Sequence, residues 1–217
     1  MREMISDRCG LYVFSDPEAK EKFGHLKDLL LDPTVPLGAA SDDFVAFAGP
    51  TYRSPERAQM LRHTSGMLVK NYGASEKSLP NALLQLEFMN LLAGLLDKSE
   101  GTVHAVRHPL VARRQSGEVV ALMEPAPGID IPSTGMGLVA KKEILRTVRA
   151  EVTHALGSRV LSRLMVNDLY RQGNHMTNVF VDGTDRITLI DQPYEGSPLA
   201  RGAFKLLQLT PWGNALS

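Results

Sequence analysis

Residues 167–193 read NDLYRQGNHMTNVFVDGTDRITLIDQP, and the interpretation of this stretch decides the fold. Two short runs of β-type residues, 179–182 and 186–190, flank a Gly183-Thr184-Asp185 connection, so the spacing predicts a hairpin. Asn178 stands just before the first run and Asp191 ends the second. Pairing across the turn would bring both side chains to the open end of the hairpin. One amide oxygen beside one carboxylate is a hard-oxygen pair suited to Mg²⁺ carrying phosphates. The same residues also suit an ordinary surface hairpin with turn-forming Asn and Asp at its ends.

The 217-residue chain fits one large domain or two small lobes sharing a cleft, and its 43% hydrophobic content supports a real core. Lys+Arg and Asp+Glu both number 24, so no global field draws in nucleic acid or an anionic membrane. The single cysteine, Cys9, leaves no intrachain disulfide and no cysteine-based zinc site. The N-terminus lacks a long apolar h-region, and no apolar run reaches the roughly 18 residues a membrane span needs. The expectation is a cytoplasmic protein, or one exported as an effector without a cleavable signal peptide.

Along the chain, residues 17–31 predict a helix with Asp16 as cap and Pro17 in the first turn, ended by Asp32-Pro33 and Pro36. With the loop that follows, residues 1–43 are read as an N-terminal extension. Strands are then expected at 44–47, 58–62 and 66–72, a helix at 79–96, and strands at 102–111 and 118–123. Lys70 closes the apolar run Met67-Leu68-Val69; one reading simply turns it to solvent. Glu87 is the only acid between Leu79 and Leu96, with Leu83, Leu84 and Leu91 as its helical neighbours. A carboxylate on that apolar side needs a cation, and Lys70 is the candidate.

A Pro/Gly-rich stretch through Gly137 is expected to link two lobes, and residues 138–166 to be helical, divided at Gly157. Ile144, Val148, Val152 and Leu156 form the core stripe, and Arg146, Arg149 and Glu151 are left to solvent without a role. His63 and His154 are read as structural or exposed. His104 and His108 are four apart, but Pro109 and the strand context argue against a zinc pair.

Order and spacing carry a resemblance. Asn178, a short strand, a turn and a strand running Leu-Ile-Asp191 are similar to the metal-binding hairpin of the protein-kinase-like superfamily. His175 resembles the His of the D-x-H-x-x-N variant in aminoglycoside, sugar and lipid kinases, and Asp168-Leu169-Tyr170 looks like the catalytic loop of lipopolysaccharide-core kinases. The resemblance spans roughly residues 44–209. It implies an α+β, two-lobed kinase-like fold with a small lobe at 44–125 and a reduced large lobe at 126–217.

By this resemblance Lys70 reaches the ATP phosphates, Glu87 braces Lys70, and Glu124 lies in the hinge against the adenine. Asn178 and Asp191 hold Mg²⁺, and Asp168 or His175 serves the acceptor hydroxyl of a saccharide or of protein Ser/Thr. The sequence departs from the pattern in three places. Gly173 occupies the usual position of the catalytic Asp, five before Asn178; Asp191-Gln192-Pro193 replaces Asp-Phe-Gly; and the phosphate loop between Gly49 and Pro55 has one glycine. The alternatives are a pseudokinase that binds nucleotide or protein without transfer, and a structural α+β domain.

Overall fold

The computed structural model of the chain describes residues 4–7, 10–32, 34–35, 44–46, 60–166, 176, 178–190 and 202. In chain order the elements are β1 (Ile5–Asp7), β2 (Gly10–Phe14), α1 (Pro17–Leu31), β3 (Phe44–Ala46), β4 (Met60–His63), β5 (Leu68–Gly73) and α2 (Ser78–Lys98). There follow β6 (Val103–Ala105), β7 (Leu110–Arg114), β8 (Val119–Met123), β9 (Ile129–Asp130), a 3₁₀ turn (Ile131–Thr134), α3 (Leu138–Leu156), α4 (Arg159–Met165), β10 (Val179–Val181) and β11 (Ile187–Leu189). The chain is mixed α+β. It divides into two units, Met1–Glu87 with Arg107–Pro125, and Phe88–Val106 with Ala126–Ser217.

The first unit is built on a seven-stranded sheet in the order β1-β2-β7-β8-β5-β4-β3. Neighbours are antiparallel throughout. Because side chains alternate across a strand, each strand feeds two cores. Phe14, Val69, Leu110, Ala112, Val120 and Leu122 pack with Phe23, Leu26 and Leu30 of α1. Val13, Val111, Val119 and Ala121 pack with Ala82, Leu83 and Leu86 of α2. β8, Val-Val-Ala-Leu-Met, is buried at all five positions, as a strand covered on both faces requires.

Residues 10–31, read from sequence as part of an extension, belong to this sheet and its covering layer. Asp16 caps α1 by accepting from the Ala19 amide at 2.7 Å, and Pro17 opens the helix with its φ already suited to it. At the other end the buried Arg114 donates from Nε to the Leu30 carbonyl at 2.8 Å. That satisfies one of the carbonyls a helix leaves unpaired. Burial pushes the Arg114 pKa down, and Glu118, 3.6 Å from its Nη1, opposes that shift.

Among the described helices, α2 alone is long and apolar enough to cross a membrane by length and composition. Of its apolar window 67% is buried inside the fold, which is the pattern of a core helix.

The second unit holds a four-stranded sheet, β6-β11-β10-β9. β6 and β11 run parallel, and the other pairs are antiparallel. The single strand expected at 102–111 is therefore two strands in two sheets. The Val106 amide donates to Leu189 in the second sheet, whereas Arg107 exchanges bonds with Glu124 at the end of β8. Pro109, which has no N–H for a ladder, sits just before β7 begins. The stretch expected as a linker also carries structure, since β9 pairs Asp130 with Phe180 and Ile129 with Val181. α3 ends where the sequence predicts: Gly157 takes φ 63°, a left-handed conformation that costs glycine little, and Ser158 caps α4.

Candidate functional site

Lys70 sits on β5 between Met60 of β4 and Ala121 of β8, and it is only 7% exposed. Val69 faces α1, so Lys70 and Tyr72 face α2. The Lys70 Nζ stands 4.8 Å from the Tyr72 ring centroid. Glu87 follows Leu86 on α2 and lies one turn beyond Leu83, both of which pack on this same face. Lys70 and Glu87 thus belong to one face of one sheet, and Glu87 is half-buried.

Glu124 lies one residue beyond β8. Its amide donates to the Arg107 carbonyl at 2.9 Å, and its carboxylate accepts the Arg107 amide at 3.3 Å. The segment between β3 and β4, expected near the phosphates, lies outside the described residues.

In the second unit β10 and β11 form the expected hairpin, with Val179 opposite Leu189 and Val181 opposite Ile187. The Asp182 carboxylate ties the turn by accepting from the Thr184 amide and hydroxyl and from the Arg186 amide. These bonds, led by the Thr184 hydroxyl, hold its pKa below the ordinary carboxylate value. Asp185 takes φ 61°, which Asp tolerates better than most residues.

At the open end the Ile190 amide donates to the Asn178 carbonyl at 3.0 Å. Ahead of Asn178, Met176 accepts from the Val179 amide while holding φ 45° with its side chain fully buried. Left-handed backbone at a non-glycine costs of order 1 kcal/mol and persists where packing over-determines it. The turn that delivers Asn178 is therefore anchored by a core methionine.

Asp168, His175 and Asp191 lie outside the described residues. Among the described residues no three His, Cys, Asp or Glu side chains come together as a metal site. The Nδ1 of His104 is 3.6 Å from Asp97, and that of His63 bonds the Ser65 hydroxyl and amide as a local turn.

The sequence reading missed Glu151, which it left to solvent. From α3 its carboxylate accepts the Thr102 amide at 3.2 Å, the Thr102 hydroxyl at 2.8 Å and the Val103 amide at 2.8 Å. Gly101 makes room for it, because a Cβ there would run into the carboxylate. The Thr102 carbonyl in turn accepts the Ile187 amide, and β6 pairs along β11. Glu151 thereby holds the strand that lies beside Ile187–Leu189. Its partners are 48 and 49 residues away, so no local pattern could announce the contact.

No protein-family model matches the chain, and no curated protein matches it.

Proposed function

We propose that the chain binds Mg-ATP on a two-lobed, protein-kinase-like scaffold and transfers the γ-phosphate to a hydroxyl of a saccharide or of protein Ser/Thr. The observation that carries this reading is the buried Lys70 on a central strand, sharing its face with Glu87. An ammonium kept out of water at that position is costly without anions to meet it. ATP phosphates would join the partners that Lys70 already has, with Glu87 orienting the lysine. The element order adds support. Strands β3, β4 and β5, then α2, then β7 and β8 with β8 beside β5, end at Glu124-Pro125 as a hinge would.

Asn178 at the mouth of the hairpin, with Asp191 next after Ile190, offers the hard-oxygen donors that suit Mg²⁺. Held there, Mg²⁺ would supply positive charge against the negative charge that develops in phosphoryl transfer. Asp168 or His175 would orient the acceptor hydroxyl and take its proton. The acceptor oxygen bonds to the γ-phosphorus, the bond to the β,γ-bridging oxygen breaks, and ADP leaves. A second reading, nucleotide binding without transfer, rests on Gly173, which occupies the usual position of the catalytic carboxylate.

Thermal-shift titration with ATP, with and without Mg²⁺, tests binding. At ligand one hundred times above Kd the stabilisation is ~2.7 kcal/mol, which for this size raises Tm by roughly 5–10 °C. Asp191→Ala should remove the Mg²⁺-dependent part and Asn178→Ala should weaken it less, since a neutral amide gives the cation less than a carboxylate. No Mg²⁺-dependent shift in the wild type, or unchanged shifts in both variants, would overturn the reading. Transfer assays with Asp168→Asn and His175→Ala then assign the base, whose loss should cost roughly 10²–10⁴-fold in rate with ATP affinity retained.

A further inference from the structure

The N-terminal turn of α3 stands out into solvent. From Gly137 to Ala140 every residue is exposed, and the two large apolar side chains in that run, Leu138 and Val139, are 49% and 84% exposed. Farther along, the helix buries the stripe Val148, Val152 and Leu156. Val139 precedes Val148 by about two and a half turns, so it points away from that stripe. Withdrawing this tip from water takes another surface.

Helical spacing places cations beside it. Lys141 and Lys142 follow Leu138 by three and four positions, and Lys142 follows Val139 by three, so both lysines stand one turn beyond the apolar tip. Lys142 is exposed and Lys141 partly so, and the first turn of α3 carries no acid. Glu143, in the next turn, pairs with Arg146 at 2.6 Å. Residues 138–146 therefore hold three cations against one carboxylate, a charge of +2 in a chain whose overall charge is zero.

The pattern selects the kind of surface. A groove on a protein partner takes a helix side-on, through apolar residues at i, i+3, i+4 and i+7. Beyond Val139 those positions are Lys142, Glu143 and Arg146. The exposed apolar residues are instead successive, about 100° apart around the end of the helix, where a fluid apolar phase surrounds both and a groove does not. One turn, about 5 Å along the axis, separates them from the lysines. Interfacial helices bury apolar side chains to about 5–10 Å, with lysines reaching back to the headgroups.

We infer that the N-terminal turn of α3 docks on an anionic membrane surface, with Leu138 and Val139 below the headgroups and Lys141 and Lys142 among the lipid phosphates. The contact uses one helix of the second unit and is independent of the nucleotide reading. It is weak and reversible. Each lysine is worth about fivefold near an anionic leaflet, and the two apolar side chains together add roughly 10–100-fold, so binding needs lipid in about the millimolar range.

Cosedimentation of the full chain with phosphatidylcholine–phosphatidylserine vesicles, at about 1 mM lipid and above, tests this. The wild type should pellet with these vesicles, far less with phosphatidylcholine alone, and less as salt rises. Leu138→Ser with Val139→Ser should lower the partition roughly 10–100-fold, and Lys141→Gln with Lys142→Gln about 25-fold. All four side chains lie outside the buried core, and circular dichroism checks that the fold is kept. Val160→Ser is the control. Val160 is 71% exposed beside Arg159 on α4, past the other end of α3, and its variant should pellet as the wild type does. No pelleting of the wild type with anionic vesicles, equal pelleting with phosphatidylcholine alone, an unchanged partition in either double variant, or an equal loss in Val160→Ser would each overturn the inference. Sedimentation velocity without lipid tests another occupant: self-association abolished by the serine pair would assign the tip to a second copy of the chain instead. Lys70→Met should pellet as the wild type does whether or not it binds nucleotide, so failure of one reading leaves the other standing.

Discussion

Replacing Glu151 by alanine should destabilise the second unit through a strand that Glu151 does not itself belong to. The carboxylate accepts three bonds, but they are unequal. The two from Thr102 are exposed, and water can replace them at little cost. The third comes at 2.8 Å from the amide of Val103, a residue with no exposed surface. A hydrogen bond to a charged group is worth ~1.5–3 kcal/mol, and a buried amide left unpaired adds to the loss. Glu151→Ala should therefore cost ~2–3 kcal/mol, or roughly 4–12 °C in Tm for a chain of this length. Glu151→Gln keeps an acceptor and should cost about 1 kcal/mol.

Gly101→Ala supplies the control, because its Cβ would occupy the carboxylate's place. Alone it should cost about as much as Glu151→Ala. Combined with Glu151→Ala it should add almost nothing, since the obstacle is gone, and this non-additivity is the signature of a shared contact. Urea unfolding followed by circular dichroism gives the energies, and amide exchange at Val103 and Ile187 gives the local effect. Strictly additive losses, or an alanine effect under about 0.5 kcal/mol, would refute the reasoning.

Three further outcomes are expected. Arg114→Met keeps much of the side-chain volume but leaves the buried Leu30 carbonyl without its donor, so stability should fall by ~1–3 kcal/mol. Glu118→Ala, removing the more exposed partner, should cost less, and the reverse order in chemical denaturation would contradict this account. Asp182 has its folded pKa lowered, so its contribution is present above the ordinary value near ~4 and is lost as pH falls through the depressed one. Protection of the Thr184 and Arg186 amides should drop in that acid window, and Asp182→Asn should abolish the dependence; protection that rises on acidification would reverse the sign. Glu87→Leu should lower stability as well as ATP affinity and transfer, because it takes one carboxylate from the side of the sheet where the Lys70 ammonium is buried. Full activity in that variant would remove Glu87 from the nucleotide site.

The elements legible in the sequence are those whose ends are written locally. α1 runs from Pro17 to Leu31 because Asp16-Pro17 and Asp32-Pro33 punctuate it, and α3 stops at Leu156 because Gly157 follows. The hairpin of β10 and β11 is legible for the same reason, with two short apolar runs closed by Asp182-Gly183-Thr184. What was not legible depends on partners far along the chain. β2 is short and gains its place from β7, about 100 residues later, and β1 pairs with β2 in turn. Residues 102–111 look like one strand because apolar residues continue through it; which sheet each half joins is decided by Leu189 and Glu124.

Lys70 shows how the same distinction applies to chemistry. The alternating strand suggested a lysine turned to solvent, yet the strand is covered on both faces, and there is no solvent side for Lys70 to reach. Its ring contact with Tyr72 offers ~0.5–2 kcal/mol, whereas withdrawing an ammonium from water costs several. The Tyr72 ring is one of the groups that Lys70 meets, and its contribution is smaller than that cost. A carboxylate on the facing helix lowers that cost, but it can do so for any buried cation. A lysine that also meets a polyphosphate has a reason to be kept at a buried strand position. The proposed nucleotide site would account for that placement, and loss of nucleotide binding in Lys70→Met with the fold retained is the outcome expected of it.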